Sequence, residues 1–469
     1  MTRRTKIVAT LGPATAQPST LTALLDAGVN VVRINASHGT PELRASWLGM
    51  VRQASEGREQ PVAILMDLQG PRIRVGELPS PRLLEPGQEM VLAPEDVARG
   101  DELPTTYDDL ARDARVGAKI LLNDGLLELE VTRIAPPRVV ARVIDGGELT
   151  SHKGMNLPGL TVSAPPLTEK DKEDVVAAVA GGADYVALSF VRRAEDLQAL
   201  RKLVPPATKL VAKIEKAAAL DDLARILVAA DAVMVARGDL GVELPFETVP
   251  PVQKRLIREA NRAGKPVITA TQMLESMIHA PRPTRAETSD VANAILDGTD
   301  AVMLSAETAT GDYPLESVMA MDRIIREMER TSLPGAGGRD ERRGAVTPGV
   351  SVEEAIAQGT AAVARMLSTP LIVTLTQGGF TARKVAAVRP PVPILAVTTV
   401  PATYRQLALV WGVIPVLVDR VPGYDAMLEV VRDLIVKRGL AQAGDRIVMT
   451  AGLPWEVSGS TNLIKVEVV

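Results

Sequence analysis

A chain of 469 residues is too long for one hydrophobic core and predicts roughly two to four domains. Its 46% hydrophobic and 23% charged content is that of a globular enzyme, while a net charge of -4 and an aromatic share of only 2% exclude the basic stripe and stacking platforms of a nucleic-acid binder. With no cysteine there are no disulfides, thiolate metal sites or sulfur redox chemistry, which fits a reducing compartment, and no apolar run approaches the length of a membrane span.

In chain order, Lys6–Leu11 predicts a strand closed by Gly12-Pro13. Arg3, Arg4 and Lys6 stand at its start, but the apolar run is too short for the core of a signal peptide. Residues 19–27 predict a helix with Gly28 just past its end, 29–33 a second strand, Pro41–Ser55 a helix, and 62–66 a third strand ending at Asp67. Three βα units with short loops imply a parallel sheet with helices outside. Over residues 74–162 the pattern changes to Pro- and Gly-rich alternating β segments. Asn123-Asp-Gly125 and Asp145-Gly146-Gly147 read there as hairpin-type turns, so a small all-β domain is expected after the third strand.

The helical pattern resumes at Leu167, with Thr168 and Asp171 as a capping-box start and Gly181-Gly182 as a stop. Strands are predicted at 185–189, 210–214, Ala232–Ala236, 266–270 and Ala301–Leu304, which brings the parallel set to eight, the count of a (β/α)8 TIM barrel. A helix at 315–329, a Gly-rich linker at 333–349 and a further α/β unit follow, with a helix Val352–Met366 and strands at 371–375, 394–397, 413–418, 446–450 and 464–469. The expected α/β architecture is a barrel of residues 1–70 and 164–332, an inserted β-barrel lid of 71–163, and a C-terminal α/β regulatory domain of 350–469.

Barrel enzymes carry their chemistry at the carboxyl ends of the strands. Standing there are Arg33 and Asn35, Asp67, Lys213 and Glu215, Arg237 and Asp239, Thr271, and Ser305 with Glu307. In Leu210-Val-Ala-Lys213-Ile-Glu215 a pleated backbone sends the lysine and the glutamate to one face. Taken singly, Lys213 and Glu215 read equally as a surface ion pair, Asp239 as a helix cap, and Thr271 or Ser305 as turn closers. Taken together they form a ring of cations and carboxylates suited to a Mg2+-bound anionic substrate. His38 and His152 are too scattered for a histidine metal site, and no phosphate-cradling glycine motif lies between a strand and a helix.

Several long blocks resemble the pyruvate kinase family: Leu210 through Glu215, Met234-Val-Ala-Arg237-Gly-Asp239-Leu-Gly241, the run from Lys265 through Thr271 to Met277, Asn30 through Arg33, Asn35, Ser37 and His38 to Gly39, and Lys153 to Gly159. The resemblance spans essentially the whole chain. It implies phosphoryl transfer from phosphoenolpyruvate to ADP, giving pyruvate and ATP, with Mg2+ (or Mn2+) held by Glu215 and Asp239. By the same resemblance Lys213 faces the phosphoryl group, Arg33 holds the phosphate, and backbone groups of Gly238 and Asp239 hold the carboxylate. Thr271 stands near the carbon that is protonated, with Thr271, Ser305 or a water relay as the source of the proton, and Asn35, His38, Arg74 and Lys153 line the nucleotide side. A cytoplasmic homotetramer with no nucleic-acid or membrane partner is also implied. A Mg2+-dependent lyase or aldolase on a similar barrel, and a non-catalytic scaffold, are the competing readings; neither explains an inserted lid carrying Lys153 together with an intact Lys213, Glu215, Asp239 and Arg33.

Two departures from the family pattern carry expectations. Members requiring K+ place Thr-Lys-Gly-Pro-Glu after the aspartate of the third strand, whereas this chain has Leu68-Gln69-Gly70-Pro71-Arg72. Arg72 is expected to supplant the ion that Asn35, Ser37 and Asp67 would otherwise hold, so that K+ is not required. The effector loop, here Thr376-Gln377-Gly378-Gly379-Phe380-Thr381, lacks the family's basic residue and leaves Thr376, Thr381 and backbone amides for a phosphorylated effector, bound more weakly.

Overall fold

In the computed structural model the described residues are 3–160, 162–331, 350–421, 423–452 and 461–469, so the linker expected at 333–349 lies outside them. Eight parallel strands, Lys6–Leu11, Val31–Asn35, Ala63–Asp67, Tyr185–Leu188, Lys209–Ile214, Ala232–Ala236, Val267–Ala270 and Ala301–Leu304, pair in chain order and close first to eighth. Their central residues are apolar because lumen and helix layer bury both faces, and their polar residues gather towards the strand ends. One parity, including Val8, Val31, Leu65, Ala187, Val211 and Met303, fills the lumen, and the other, including Ile7, Val32, Ile64 and Val186, packs against the helices. Continued to the strand ends, the lumen parity carries Thr10, Arg33, Asp67, Ser189, Lys213, Glu215 and Ser305.

The second strand begins at Val31 rather than 29, because the Gly28 and Val29 N–H groups close the preceding helix on Leu25 O and Leu24 O at 3.0 and 3.2 Å. That brings Asn35 into the strand. Thr168 caps the helix Glu169–Ala180 in a capping box with Asp171, as its spacing predicts.

The insertion is a six-stranded sheet, running in order Met155–Asn156, Lys119–Leu122, Leu127–Ala135, Arg138–Asp145, Glu89–Pro94 and Leu103–Thr105, over its own apolar core. Asn123 and Asp124 turn at φ 51° and 56°, the left-handed geometry expected of a tight hairpin. Asp145-Gly146-Gly147 is not a hairpin. The strand after it, Gly147–Leu149, pairs with Arg82–Leu84 instead. A Cβ on Gly146 would lie 2.3 Å from Leu84 O, so that glycine serves a close backbone approach to a distant segment rather than a local turn.

The C-terminal domain is a sheet ordered Val413–Leu417, Ile394–Thr398, Ile372–Leu375, Arg446–Ala451 and Leu463–Val468, parallel except for the last strand. It closes the amino-terminal end of the barrel. Ala408 and Leu409 join the lumen cluster, and Tyr185 O–H donates to Gln406 O at 2.7 Å. Lys6 Nζ donates to Val413 O at 2.8 Å, and Arg389 pairs with Asp300 at 2.9 Å. Arg389 and Arg4 both lie over the Trp411 ring, 5.0 and 5.5 Å from its centroid. No helix among the described residues is long and apolar enough to cross a membrane.

Candidate active site at the strand ends

The open end of the lumen holds two interlocked ion pairs. Arg33 Nε donates to Asp67 Oδ2 at 2.7 Å, and its NH1 donates to Thr10 Oγ1 at 3.0 Å. Lys213 Nζ contacts Glu215 Oε1 at 2.8 Å, donates to Ser189 Oγ at 2.8 Å, and lies 3.2 Å from Asp67 Oδ1, an ion-pair contact without hydrogen-bond alignment. Asp67 and Glu215 are each 1% exposed. Charges this deep persist only when paired, and these are.

The electrostatics follow from the pairing. Burial opposes the Asp67 charge, yet Lys213 and Arg33 hold its carboxyl below the ordinary value. Burial also opposes the Lys213 ammonium, but Asp67 and Glu215 push its pKa up. Glu215 moves the other way: burial, joined by the negative charge of Asp239, raises it against the pull of Lys213. A buried carboxyl raised beside a second carboxylate favours a cation between them. No group of three or more acidic or histidine residues that could hold a metal occurs among the described residues. The two carboxylates Glu215 and Asp239 suit an ion such as Mg2+, which takes one or two carboxylates and completes its shell with water and substrate oxygens.

Asp239 stands in the first turn of the helix Arg237–Glu243, directly after the sixth strand. Gly238 N–H donates to Thr271 Oγ1 at 2.8 Å, and Thr271 Oγ1 donates to Ala270 O at 2.6 Å. Thr271 and Gln272 have φ of 67° and 55°, so the chain leaves the seventh strand through left-handed backbone, which brings Thr271 to Gly238 although it falls outside the lumen parity. Ser305 Oγ is buried without a hydrogen-bond partner.

Arg237 and Glu307, expected in the ring, face elsewhere. Arg237 is one residue off the lumen parity and binds Asp290 at 2.6 Å and Thr271 O at 2.7 Å. Glu307 accepts the N–H groups of Ser305 at 2.7 Å and Leu274 at 3.1 Å, and burial raises its pKa. Both brace the loops that present Thr271 and Ser305.

On the lid side, Asn35 Oδ1 accepts Ser37 N–H at 3.0 Å, and His38 is exposed. Partial desolvation of its ring and the positive charges of Arg72, Arg33 and Arg74 lower its pKa. Arg72 is exposed. Lys153 is half-buried in the lid, its carbonyl accepting Val75 N–H at 2.9 Å. The lid leans on the barrel near this mouth: a Cβ on Gly125 would stand 3.7 Å from Val242 Cγ1 in the helix that carries Asp239. In the loop expected to take an effector, Thr376 and Thr381 are both buried, and the Thr381 and Thr461 hydroxyls share a hydrogen bond at 2.8 Å in which either oxygen can donate.

Thr10, Ser189 and Phe190 belong to the site and were not singled out from the sequence. Phe190 N–H donates to Glu215 Oε2 at 2.7 Å. The usable signal was parity, since Tyr185, Ala187 and Ser189 alternate on the face that fills the lumen.

The family model for the pyruvate kinase barrel domain matches residues 2–318, and that for the pyruvate kinase alpha/beta domain matches residues 354–467. The chain is 45% identical to a pyruvate kinase of Geobacillus stearothermophilus, across 100% of this chain and 81% of that one. It is 40% identical to a pyruvate kinase of Clostridium acetobutylicum, across 100% of both. A crystal structure of a pyruvate kinase from Cryptosporidium parvum superposes with a TM-score of 0.93 at 35% identity, covering 99% of this chain and 96% of the other. Matched over nearly its whole length by both domain models and by these relatives, the chain belongs to the pyruvate kinase family.

Proposed function

We propose that the strand-end cluster transfers the phosphoryl group of phosphoenolpyruvate to ADP, giving ATP and an enolate that is protonated to pyruvate. The observation that carries this reading is the Lys213 ammonium, held in the lumen by Glu215, Ser189 and Asp67 beside the Arg33 guanidinium. Phosphoryl transfer through a loose transition state needs positioned positive charge more than a covalent partner. Arg33 binds the phosphate and Lys213 faces the oxygens of the migrating group. Gly238 N–H exchanges its bond to Thr271 for the substrate carboxylate. Mg2+ or Mn2+, held by Glu215 and Asp239, supplies charge neutralisation on the carboxylate and phosphoryl oxygens. Of the two candidate hydroxyls, Thr271's proton is committed to Ala270 O while Ser305's is uncommitted, which favours Ser305 in the protonation step. Asn35, His38, Arg74 and Lys153 form the nucleotide side. A coupled assay of pyruvate formation from phosphoenolpyruvate and ADP tests the reading, and absence of ADP-dependent turnover would refute it.

Independence of K+ is part of the proposal. Asp67 is already paired with Arg33 and Lys213, and the charge of Arg72 acts on His38, which supports fixed positive charge taking the place of the ion. The division into a barrel of 1–70 and 164–332, a lid of 71–163 and a regulatory domain of 350–469, a cytoplasmic homotetramer, and a phosphorylated effector at Thr376 to Thr381 complete the reading, with Thr376, Thr381 and backbone amides as the effector's donors.

A further inference from the structure

The fourth strand ends in a turn whose side chain and backbone each hold one of the two groups at the centre of the site. Ser189, 2% exposed, follows the lumen parity of Tyr185 and Ala187. Its hydroxyl donates to Leu68 O at 2.6 Å. With its proton committed there, the oxygen presents only lone pairs to Lys213 Nζ, which donates to it at 2.8 Å. The next residue, Phe190, adopts φ 55°, a strained conformation for an aromatic residue, and so turns its N–H onto Glu215 Oε2 at 2.7 Å.

The acceptor that orients Ser189 is not an arbitrary carbonyl. Leu68 is the first residue past the third strand, at the root of the segment leading into the lid, and its N–H is fixed on Ala187 O at 3.0 Å. Two residues on, Gly70 packs so tightly over the turn that a Cβ would lie 2.9 Å from Phe190 Cδ2 and 3.0 Å from Ser189 Cβ. Gly70 N–H is held by Asp171 Oδ1 at 3.1 Å, and the other oxygen of Asp171 accepts the N–H of Thr168, where the chain returns from the lid, at 2.9 Å. Both stalks of the lid thus meet a single carboxylate, and the first of them also sets the Ser189 hydroxyl.

We infer that Ser189 is a positioning residue for phosphoryl transfer: its hydroxyl, oriented by Leu68 at the lid root, is the neutral tether that keeps the Lys213 ammonium aimed at the migrating group. Lys213 Nζ touches Glu215, Asp67 and Ser189, at 2.8, 3.2 and 2.8 Å. The two carboxylates have competing partners, Arg33 for Asp67 and, when it is bound, the metal ion for Glu215, whereas the serine oxygen accepts from no other group among the described residues and keeps its bond as charge shifts around it. Losing it leaves the charge of Lys213 in place but frees its direction, and misplacement of a catalytic group by about 1 Å costs on the order of a hundredfold in rate.

The inference rests on the proposed role of Lys213, and a double-mutant cycle separates the two. Steady-state kinetics with phosphoenolpyruvate, ADP and Mg2+, together with melting temperatures, are measured for the parent, Ser189→Ala, Lys213→Met and the double variant. Ser189→Ala is expected to lower kcat by about tenfold to a hundredfold, with KM for phosphoenolpyruvate within about threefold and an unchanged melting temperature. In the Lys213→Met background Ser189→Ala is expected to cost nothing further. Ser189→Cys, a weaker acceptor of similar volume, should fall between parent and alanine, and it replaces the alanine variant in the cycle if the latter does not fold. A kcat within about twofold of the parent in a folded variant, or the same fractional loss in both backgrounds, overturns the inference. A Lys213→Met enzyme as active as the parent overturns the reading beneath it instead.

Discussion

Lys213 Nζ lies 2.8 Å from Glu215 Oε1; Lys213 is in the fifth strand and Glu215 is the first residue past its end, so the alternation of the strand carries both to the lumen side. Asp67 enters the same contact from two strands away, 3.2 Å from the ammonium.

Replacing Lys213 by methionine should lower kcat by about a hundredfold to a thousandfold while changing KM for phosphoenolpyruvate far less, as expected for charge that acts on the transition state. Arg33→Met should instead raise KM as well, since the guanidinium meets the phosphate in the ground state. Steady-state kinetics of the two variants side by side checks the division.

Activity should be nearly the same in tetramethylammonium buffer with and without K+. Arg72→Glu should reduce activity in the absence of K+ by about tenfold and recover it when K+ is added, because a carboxylate beside His38 removes fixed positive charge that the ion then replaces. A tenfold rise of the parent enzyme on adding K+ contradicts the expectation.

Burial lowers the pKa of Lys6 from 10.5 to about 7, with Arg3 adding to the effect and Glu329 and Asp300 opposing it. Between those values the unfolded chain carries a proton the folded chain has released, so stability rises with pH across the window, and the penalty is fully present below about pH 7. At about 1.4 kcal/mol per unit this amounts to a few kcal/mol. Lys6→Met should therefore gain in melting temperature relative to the parent as pH is lowered from 10 towards 7, and level off below.

Arg389→Ala should destabilise the protein by about 3 kcal/mol or more, because it strips the partner from buried Asp300 and removes one of the two guanidinium groups over Trp411. Since these groups lie at the far end of the barrel from Lys213, kcat at saturating substrate should stay near that of the parent. Thermal melting and kinetics on one preparation test both halves.

The barrel was legible because strands buried on both faces are uninterrupted apolar runs ending in charge, as Ala232 to Ala236 before Arg237-Gly-Asp239 shows. Where meaning depended on a distant partner, local pattern was insufficient. Asp145-Gly146-Gly147 has hairpin composition, but its glycine answers to Leu84, some sixty residues earlier. Arg237 and Lys213 look alike as cations at strand ends, and only the alternation carried over from the lumen separates a brace from a site residue. Ser189 was passed over because a hydroxyl at a strand end fits a turn as well as a tether. The distinction lies in Leu68 O and Lys213 Nζ, neither of which is near it in sequence.

Leu409 and Ala408 fill the base of the lumen from the C-terminal domain. The C-terminal domain is thereby also the floor of the catalytic one, and it cannot be excised as a detachable module. A truncated chain ending at 332 would leave the undersides of the strands open to water and should aggregate rather than persist as an unregulated kinase. The catalytic barrel therefore owes the closure of its lower end to a neighbouring domain, through apolar side chains at the floor and the polar contacts of Tyr185, Lys6 and Asp300 around it.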